Sequence, residues 1–152
     1  MIEQMRDAGG SERVSVIRQE LQATMDINAQ VYRTEGSLKQ ALSDLEGLKA
    51  RYANVSVQDK GKRFNTDLLE ALELGFLLDL SEVLVISALA RNESRGGHFR
   101  EDYPTRDDVN FLRHTMAYRE EVSEDGEPPS FRIRLDYKPV VETRYKPMER
   151  KY

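Results

Sequence analysis

Leu68-Leu69-Glu70-Ala71-Leu72-Glu73-Leu74-Gly75-Phe76-Leu77-Leu78-Asp79-Leu80-Ser81-Glu82-Val83-Leu84-Val85-Ile86-Ser87-Ala88-Leu89-Ala90-Arg91 is the stretch on which the fold turns. It holds no proline, and Asn65 stands three residues ahead of it as an N-cap. Its apolar residues cover most of a helix circumference. That predicts a helix buried on several sides, with Leu77 and Leu84 in the core. Asp79 and Glu82, three apart on one face, then mark its least buried stripe, turned to solvent or to an arginine. The apolar run Leu74 to Ala90 is 17 residues long with both carboxylates near its middle. A carboxylate at a bilayer centre costs about 2.5–3.5 kcal/mol, so the run reads as a core helix and not a membrane span.

Upstream, Ser11 reads as an N-cap, and Val14, Ile17, Leu21, Met25 and Tyr32 recur near the helical period. Arg33-Thr34-Glu35-Gly36 breaks that pattern. Ser37 then caps a second helix with Leu38, Ala41, Leu42, Leu45, Leu48 and Tyr52 on one face. The link is short, so the pair should pack antiparallel, and Asn54 to Phe64 reads as irregular. Downstream, Gly96-Gly97 should end the long helix, since glycine takes a left-handed conformation there without steric cost. Thr115–Val122 and Phe131–Tyr137 are candidate strands. The second alternates Phe131, Ile133, Leu135 and Tyr137 against Arg132, Arg134 and Asp136. Ser123 to Ser130, with Gly126 and Pro128-Pro129, is the turn between them. The expected fold is all-α: a three-helix up-down-up bundle over residues 1–97. Residues 98–152 then form a charged corner, a candidate β-hairpin and an extended tail packed on the bundle.

The chain has 152 residues, 39% of them hydrophobic and 33% charged. That length suits one domain that needs no disulfide or metal staple. Lys plus Arg is 23 against 27 for Asp plus Glu, a net charge of −4, which supplies no positive field for nucleic acid. The absence of cysteine excludes disulfides, thiolate metal sites and a cysteine nucleophile. With only His98 and His114, a three-histidine metal site is excluded too. The polar start, with Glu3, Arg6 and Asp7, does not read as a secretory segment. There is no G-x-G-x-x-G, Walker loop, G-x-S-x-G or H-E-x-x-H.

The informative run is Arg91-x-Glu93-Ser94-Arg95-Gly96-x-His98-x-Arg100-Glu101-Asp102-Tyr103-Pro104-x-Arg106-Asp107-Asp108. It reads first as a charge-paired corner in which arginine forks bridge carboxylates and helix-end carbonyls. A catalytic reading would make His98 a general base and an arginine an anion clamp, but no cofactor loop accompanies them. His114 reads as a packed or half-buried side chain, and Lys60, Lys62 and Arg63 as solvated in preference to a phosphate patch.

With His114-Thr115 following, this run resembles the C-terminal region of the flavoprotein subunit of succinate dehydrogenase and fumarate reductase. Gln22–Met25, Gln58–Asn65 and the closing Tyr137-Lys138-Pro139-Val140…Thr143-Arg144-Tyr145-x-Pro147-Met148-Glu149-Arg150-Lys151-Tyr152 extend the likeness over nearly the whole chain. Gly97 departs from it, where alanine is common. Aspartate oxidase has a similar Glu-Ser-Arg-Gly-x-His run, and the long tail favours the succinate enzyme.

The resemblance implies a spectrin-like three-helix bundle that is the non-catalytic C-terminal domain of an FAD-dependent oxidoreductase of the tricarboxylic acid cycle and electron transport. The parent oxidises succinate to fumarate and passes electrons to an iron–sulfur subunit and quinone. Its flavin and substrate motifs match no position here, so the chain by itself should bind no FAD or metal and hold no catalytic residue. Its partners would be the FAD-binding and capping domains, with the iron–sulfur subunit as a further contact, in a complex peripheral on the cytoplasmic face of the membrane. The implied domain interface is Arg91, Glu93, Ser94, Arg95, Gly96, His98, Arg100, Asp102, Tyr103, Arg106 and Asp107, with some of these groups exposed or paired with solvent. The competing reading is a free-standing helical interaction module.

Overall fold

A computed structural model describes residues 2–122 and 130–148. In chain order its elements are α1 (Ile2–Arg6), β1 (Glu12–Arg13), α2 (Val14–Asn28), β2 (Tyr32–Arg33), α3 (Glu35–Tyr52), β3 (Val55–Ser56), α4 (Thr66–Ala90), β4 (Phe99–Arg100), β5 (Arg113–Val122) and β6 (Ser130–Pro139).

The all-α expectation is therefore wrong: the chain is mixed, with helices and three two-stranded sheets among the described residues. Two of the sheets are short parallel ladders. β1 pairs with β3, matching Glu12 to Val55, and β2 pairs with β4, matching Tyr32 to Phe99. They fasten the helices end to end. The first ties the start of α2 to the end of α3, and the second ties the α2–α3 turn to the chain leaving α4. Neighbouring helices therefore run antiparallel. Two-residue strands carry no alternation, which is why the sequence reads only breaks at those places.

The third sheet is the hairpin. β5 and β6 pair antiparallel from Arg113↔Pro139 to Val122↔Ser130. This exceeds the expected strands by two residues at the outset of β5 and at the close of β6. The turn placed at Ser123 to Ser130 lies, but for the backbone of its last residue, outside the described residues.

The core collects Val14, Ile17 and Leu21 from α2, Leu38, Ala41, Leu45 and Leu48 from α3, and Ala71, Leu74, Leu78, Val85 and Ala88 from α4. Each fully buried leucine or isoleucine contributes about 1.5–3 kcal/mol. Gly75 lets α4 approach α3. A Cβ there would lie 2.5 Å from the Tyr52 hydroxyl, which donates to the Ala71 carbonyl at 2.8 Å.

The caps differ from the expectation in two helices. α2 starts after Arg13, and Ser11 instead accepts from the Asn54 amide at 2.9 Å. For α3 the cap is Thr34. Its hydroxyl and that of Ser37 each accept from the other's backbone N–H at 3.0 Å, so Ser37 sits at the third helical position. Asn65 caps α4 as expected, accepting from Leu68 N–H at 2.7 Å.

The rotation of α4 also differs. Leu77 and Leu84 are 41% and 42% exposed, so they are not core residues. α4 is buried on one side only, and an apolar stripe faces outward. Asp79 and Glu82 flank that stripe, half-buried, and share a lysine, Lys49 Nζ lying 3.0 Å from Asp79 and 2.5 Å from Glu82, while Asp79 also meets an arginine, Arg119 Nη1 at 3.7 Å. Tyr32 belongs to β2, not α2, and is exposed. His114 is exposed on the hairpin, opposite Lys138. Lys60 donates to the Arg6 and Ala8 carbonyls, tying down the N-terminal segment.

Candidate functional site

α4 ends at Ala90, well before Gly96-Gly97, and Arg91 is already extended. The reason lies ten residues downstream. Arg100 is buried at 0% exposure, and its Nη1 donates to the carbonyls of Ala88 and Leu89 at 3.2 Å and of Arg91 at 3.4 Å. A guanidinium thus satisfies the free carbonyls of the helix end, and its positive charge suits the negative end of the helix dipole. Gly96, at φ +60°, instead forms the turn that pairs Arg95 with His98.

The other edge of Arg100 makes a two-pronged pair with Asp102, Nε to Oδ1 and Nη2 to Oδ2, both at 2.8 Å. Asp102 Oδ2 also accepts from the Glu35 N–H at 2.9 Å, at the start of α3. Arg100 and Asp102 therefore bridge the end of α4 to the start of α3, and β2–β4 pairing holds the bridge in register. The Arg100 guanidinium is the main cause that lowers the Asp102 carboxyl to about 2.

Glu93 is the second buried charge, at 0% exposure. Its Oε1 accepts from Arg91 Nη1 at 2.5 Å and Arg95 Nε at 2.8 Å, and its Oε2 from Arg95 Nη2 at 2.9 Å and Asp107 N–H at 2.8 Å. Burial pushes this carboxyl up. Arg95, the Asp107 N–H and Arg91 outweigh burial and hold it below the usual range. Arg91 continues to the Phe111 carbonyl at 2.9 Å and the Arg113 carbonyl at 2.5 Å, so it leads from Glu93 to the root of the hairpin. There Arg113 lies over the Tyr137 ring at 3.7 Å and the Phe111 ring at 5.2 Å.

His98 is held at both ring nitrogens. Nδ1 lies 2.8 Å from Arg33 Nη1, and Nε2 lies 3.1 Å from the Arg91 carbonyl. A guanidinium can only donate, so Nδ1 accepts and Nε2–H donates. The ring is then neutral, and its pKa is lowered by burial and by Arg33, Arg100 and Arg91. Ser94 accepts from Arg100 N–H at 2.9 Å and donates to the Tyr103 carbonyl at 2.8 Å.

Exposure grades across the corner. Glu93 and Arg100 are buried and find their partners within the chain. Arg91, Ser94, Arg95, His98 and Asp107 are intermediate, while Gly96, Asp102, Tyr103 and Arg106 lie on the rim. Arg95 and Arg106 share Asp108, at 2.6 and 2.8 Å, and Arg106 donates to the Met148 carbonyl of the tail at 3.0 Å. Arg33, Glu35 and Asp108 complete the site. The sequence reading treats Arg33 and Glu35 only as part of a helix break. Their one signal is a basic residue just ahead of an N-cap, which is weak. Among the described residues, no three His, Asp or Glu side chains converge to hold a metal ion. No helix there is long and apolar enough to cross a membrane.

The sequence that folds into this closely paired corner is similar to that of known proteins. The Haemophilus influenzae fumarate reductase flavoprotein subunit is 39% identical over 151 residues, 99% of this chain and 24% of that protein. The Rickettsia conorii succinate dehydrogenase flavoprotein subunit is 40% identical over 93% of this chain and 22% of its own length. In a solved Escherichia coli quinol fumarate reductase, the flavoprotein superposes with a TM-score of 0.85 at 37% identity, covering 97% of this chain and 24% of that one. The chain thus spans about a quarter of the length of the relatives it matches. The model described as "Fumarate reductase flavoprotein C-term" matches residues 18–152, and the chain belongs to that family.

Proposed function

We propose that this chain works as the non-catalytic C-terminal part of an FAD-dependent succinate dehydrogenase or fumarate reductase. That enzyme interconverts succinate and fumarate and exchanges electrons with an iron–sulfur subunit and quinone. Residues 1–97 serve as its helical body, and residues 98–152 as the corner, hairpin and tail. The complex lies peripherally on the cytoplasmic face of a membrane. The observation that carries this reading is the state of the corner's reactive groups. His98 is fixed as a neutral bridge between Arg33 and Arg91, and Glu93 is held by Arg91, Arg95 and the Asp107 N–H. Groups so fixed hold shape and do not move protons.

The rim residues Gly96, Asp102, Tyr103 and Arg106 then face the FAD-binding and capping domains, with the buried pairs as the frame behind them. The test uses the flavoprotein subunit that carries this chain, assayed for bound flavin and for succinate oxidation with a dye acceptor. Tyr103→Ala combined with Arg106→Ala should lower flavin retention while leaving the helical melting of the 152-residue chain within a few degrees. An unmodified 152-residue chain that itself bound stoichiometric flavin or oxidised succinate would defeat the reading.

A further inference from the structure

The two short ladders that clasp the bundle are built alike and locked differently. At one end, Glu12 N–H donates to the Asn54 carbonyl and Gly10 N–H to the Val55 carbonyl, both at 3.1 Å. There Arg51 lies between Glu12 and Glu20, a cation between two anions. At the other end, Phe99 N–H donates to the Val31 carbonyl at 3.2 Å and Glu101 N–H to the Arg33 carbonyl at 2.8 Å. The lock there is Arg33, whose Nε donates to the Ala29 and Gln30 carbonyls and whose Nη1 donates to His98. Among the described residues Arg33 pairs with no carboxylate, and burial lowers its pKa. Its side-chain partner is a neutral imidazole.

The other charges that face this ring have the same sign. Arg91 reaches it from the end of α4 and Arg100 from β4. Of the corner's carboxylates, Glu93 is held by Arg91 and Arg95, Asp102 by Arg100, and Asp108 by Arg95 and Arg106. A protonated His98 would present a donor where Arg33 Nη1, 2.8 Å away, needs an acceptor. Two cations would then face each other with no anion between them.

We infer that His98 is a proton-operated latch: uncharged, it fastens the α2–α3 turn to the chain leaving α4, and on taking a proton it releases Arg33 and lets β2 part from β4 while the bundle stays folded. The device does not depend on the function proposed above. Once open, His98 returns to water and its ordinary pKa of about 6.5. While closed, burial and the three arginines hold it lower. The open form therefore binds the extra proton. The latch is fully engaged above about pH 6.5, and opening grows by up to about tenfold per pH unit below that, as far as the closed-state pKa. Asp102, lowered to about 2, keeps its charge throughout this range. Its bond to the Glu35 N–H therefore stays, and the opening is confined to the turn ahead of α3.

The test is hydrogen exchange of the 152-residue chain from pH 8 to pH 5, read amide by amide by NMR and corrected for intrinsic exchange rates. Protection of the Phe99 and Glu101 amides should fall through the histidine range. Protection of the Glu12 amide, in the clasp without a histidine, and of the Leu78 amide in mid-α4 should hold. In His98→Gln, whose side-chain oxygen accepts from Arg33 but takes no proton, the Phe99 and Glu101 amides should stay protected. Arg33→Gln, which can still donate to Nδ1 but is uncharged, should make the fall smaller. His114→Gln, on the hairpin, should leave it unchanged. Loss at all four amides in step would mean global unfolding and would overturn the inference. Steady protection at Phe99 and Glu101 in the parent, an equal fall in His98→Gln or Arg33→Gln, or a fall abolished by His114→Gln would each overturn it too.

Discussion

Leu74, Leu78 and Val85 in the middle of α4 are buried by shape, while Arg100, ten residues past the helix end, is buried just as deeply by hydrogen bonds. The two regions use opposite physics. In the core, any apolar side chain of similar volume fills the space with small loss. In the corner, each group answers to a particular partner: Arg100 to three carbonyls and Asp102, and Glu93 to Arg91, Arg95 and the Asp107 N–H. A core tolerates exchange and a corner does not, because a charge left buried without its partner has no cheap alternative.

The largest effect should come from the corner. Arg100→Ala removes the cap of α4 and the bridge to α3 in one step, and we expect a loss of about 3–5 kcal/mol of stability by urea unfolding. Arg100→Lys keeps the charge but not the planar fork, so it should recover only a minor part. If the lysine variant melted like the parent, charge and not geometry would hold the corner, and the contrast with the core would collapse.

Next comes a comparison within α4 itself. Leu78→Ala empties a site that is 1% exposed and should cost about 2–5 kcal/mol. Leu84→Ala, on the outward stripe, should cost under about 1 kcal/mol in the 152-residue chain. Equal losses in thermal melts of the two variants would mean that the outward stripe is packed.

These contrasts explain what could be read from the chain alone. The existence of α2, α3 and α4, the Asn65 cap and the alternation of β6 rest on local patterns that the sequence carries within a few residues. The rotation of α4 does not. Its apolar residues run nearly all round, so no amphipathic direction marks the core side, and only the positions of α2 and α3 select Leu74 and Leu78 over Leu77 and Leu84. Its end is hidden from a local reading for a similar reason. Gly96 and Gly97 are a local stop signal, but Arg100 stops the helix six residues earlier through contacts that no local window contains. In the corner, the density of charged types was legible and the pairing was not. Arg33 meets His98 across 65 positions, joined through two-residue strands that leave no period to detect.

The smallest expected effect concerns His98, and its sign follows from the geometry. Arg33 donates to Nδ1, so a proton there would break that bond and set a cation among Arg33, Arg91 and Arg100. Burial and these arginines lower the folded-state pKa below the ordinary 6.5. The folded state then binds fewer protons than the unfolded chain as pH falls through this range, so the His98 contribution is fully present above about 6.5 and is lost progressively below it, towards the folded-state pKa. Asp102 behaves separately: with its carboxyl lowered to about 2, its contribution is kept at and above about pH 4 and lost only on going further towards 2. Urea midpoints measured from pH 8 to pH 5 should therefore decline for the parent through the histidine range. In His98→Gln, whose side-chain oxygen can still accept from Arg33 but cannot titrate, the same series should be flatter. Parallel declines in both proteins would remove His98 as the cause and assign the pH sensitivity to carboxylates elsewhere in the chain.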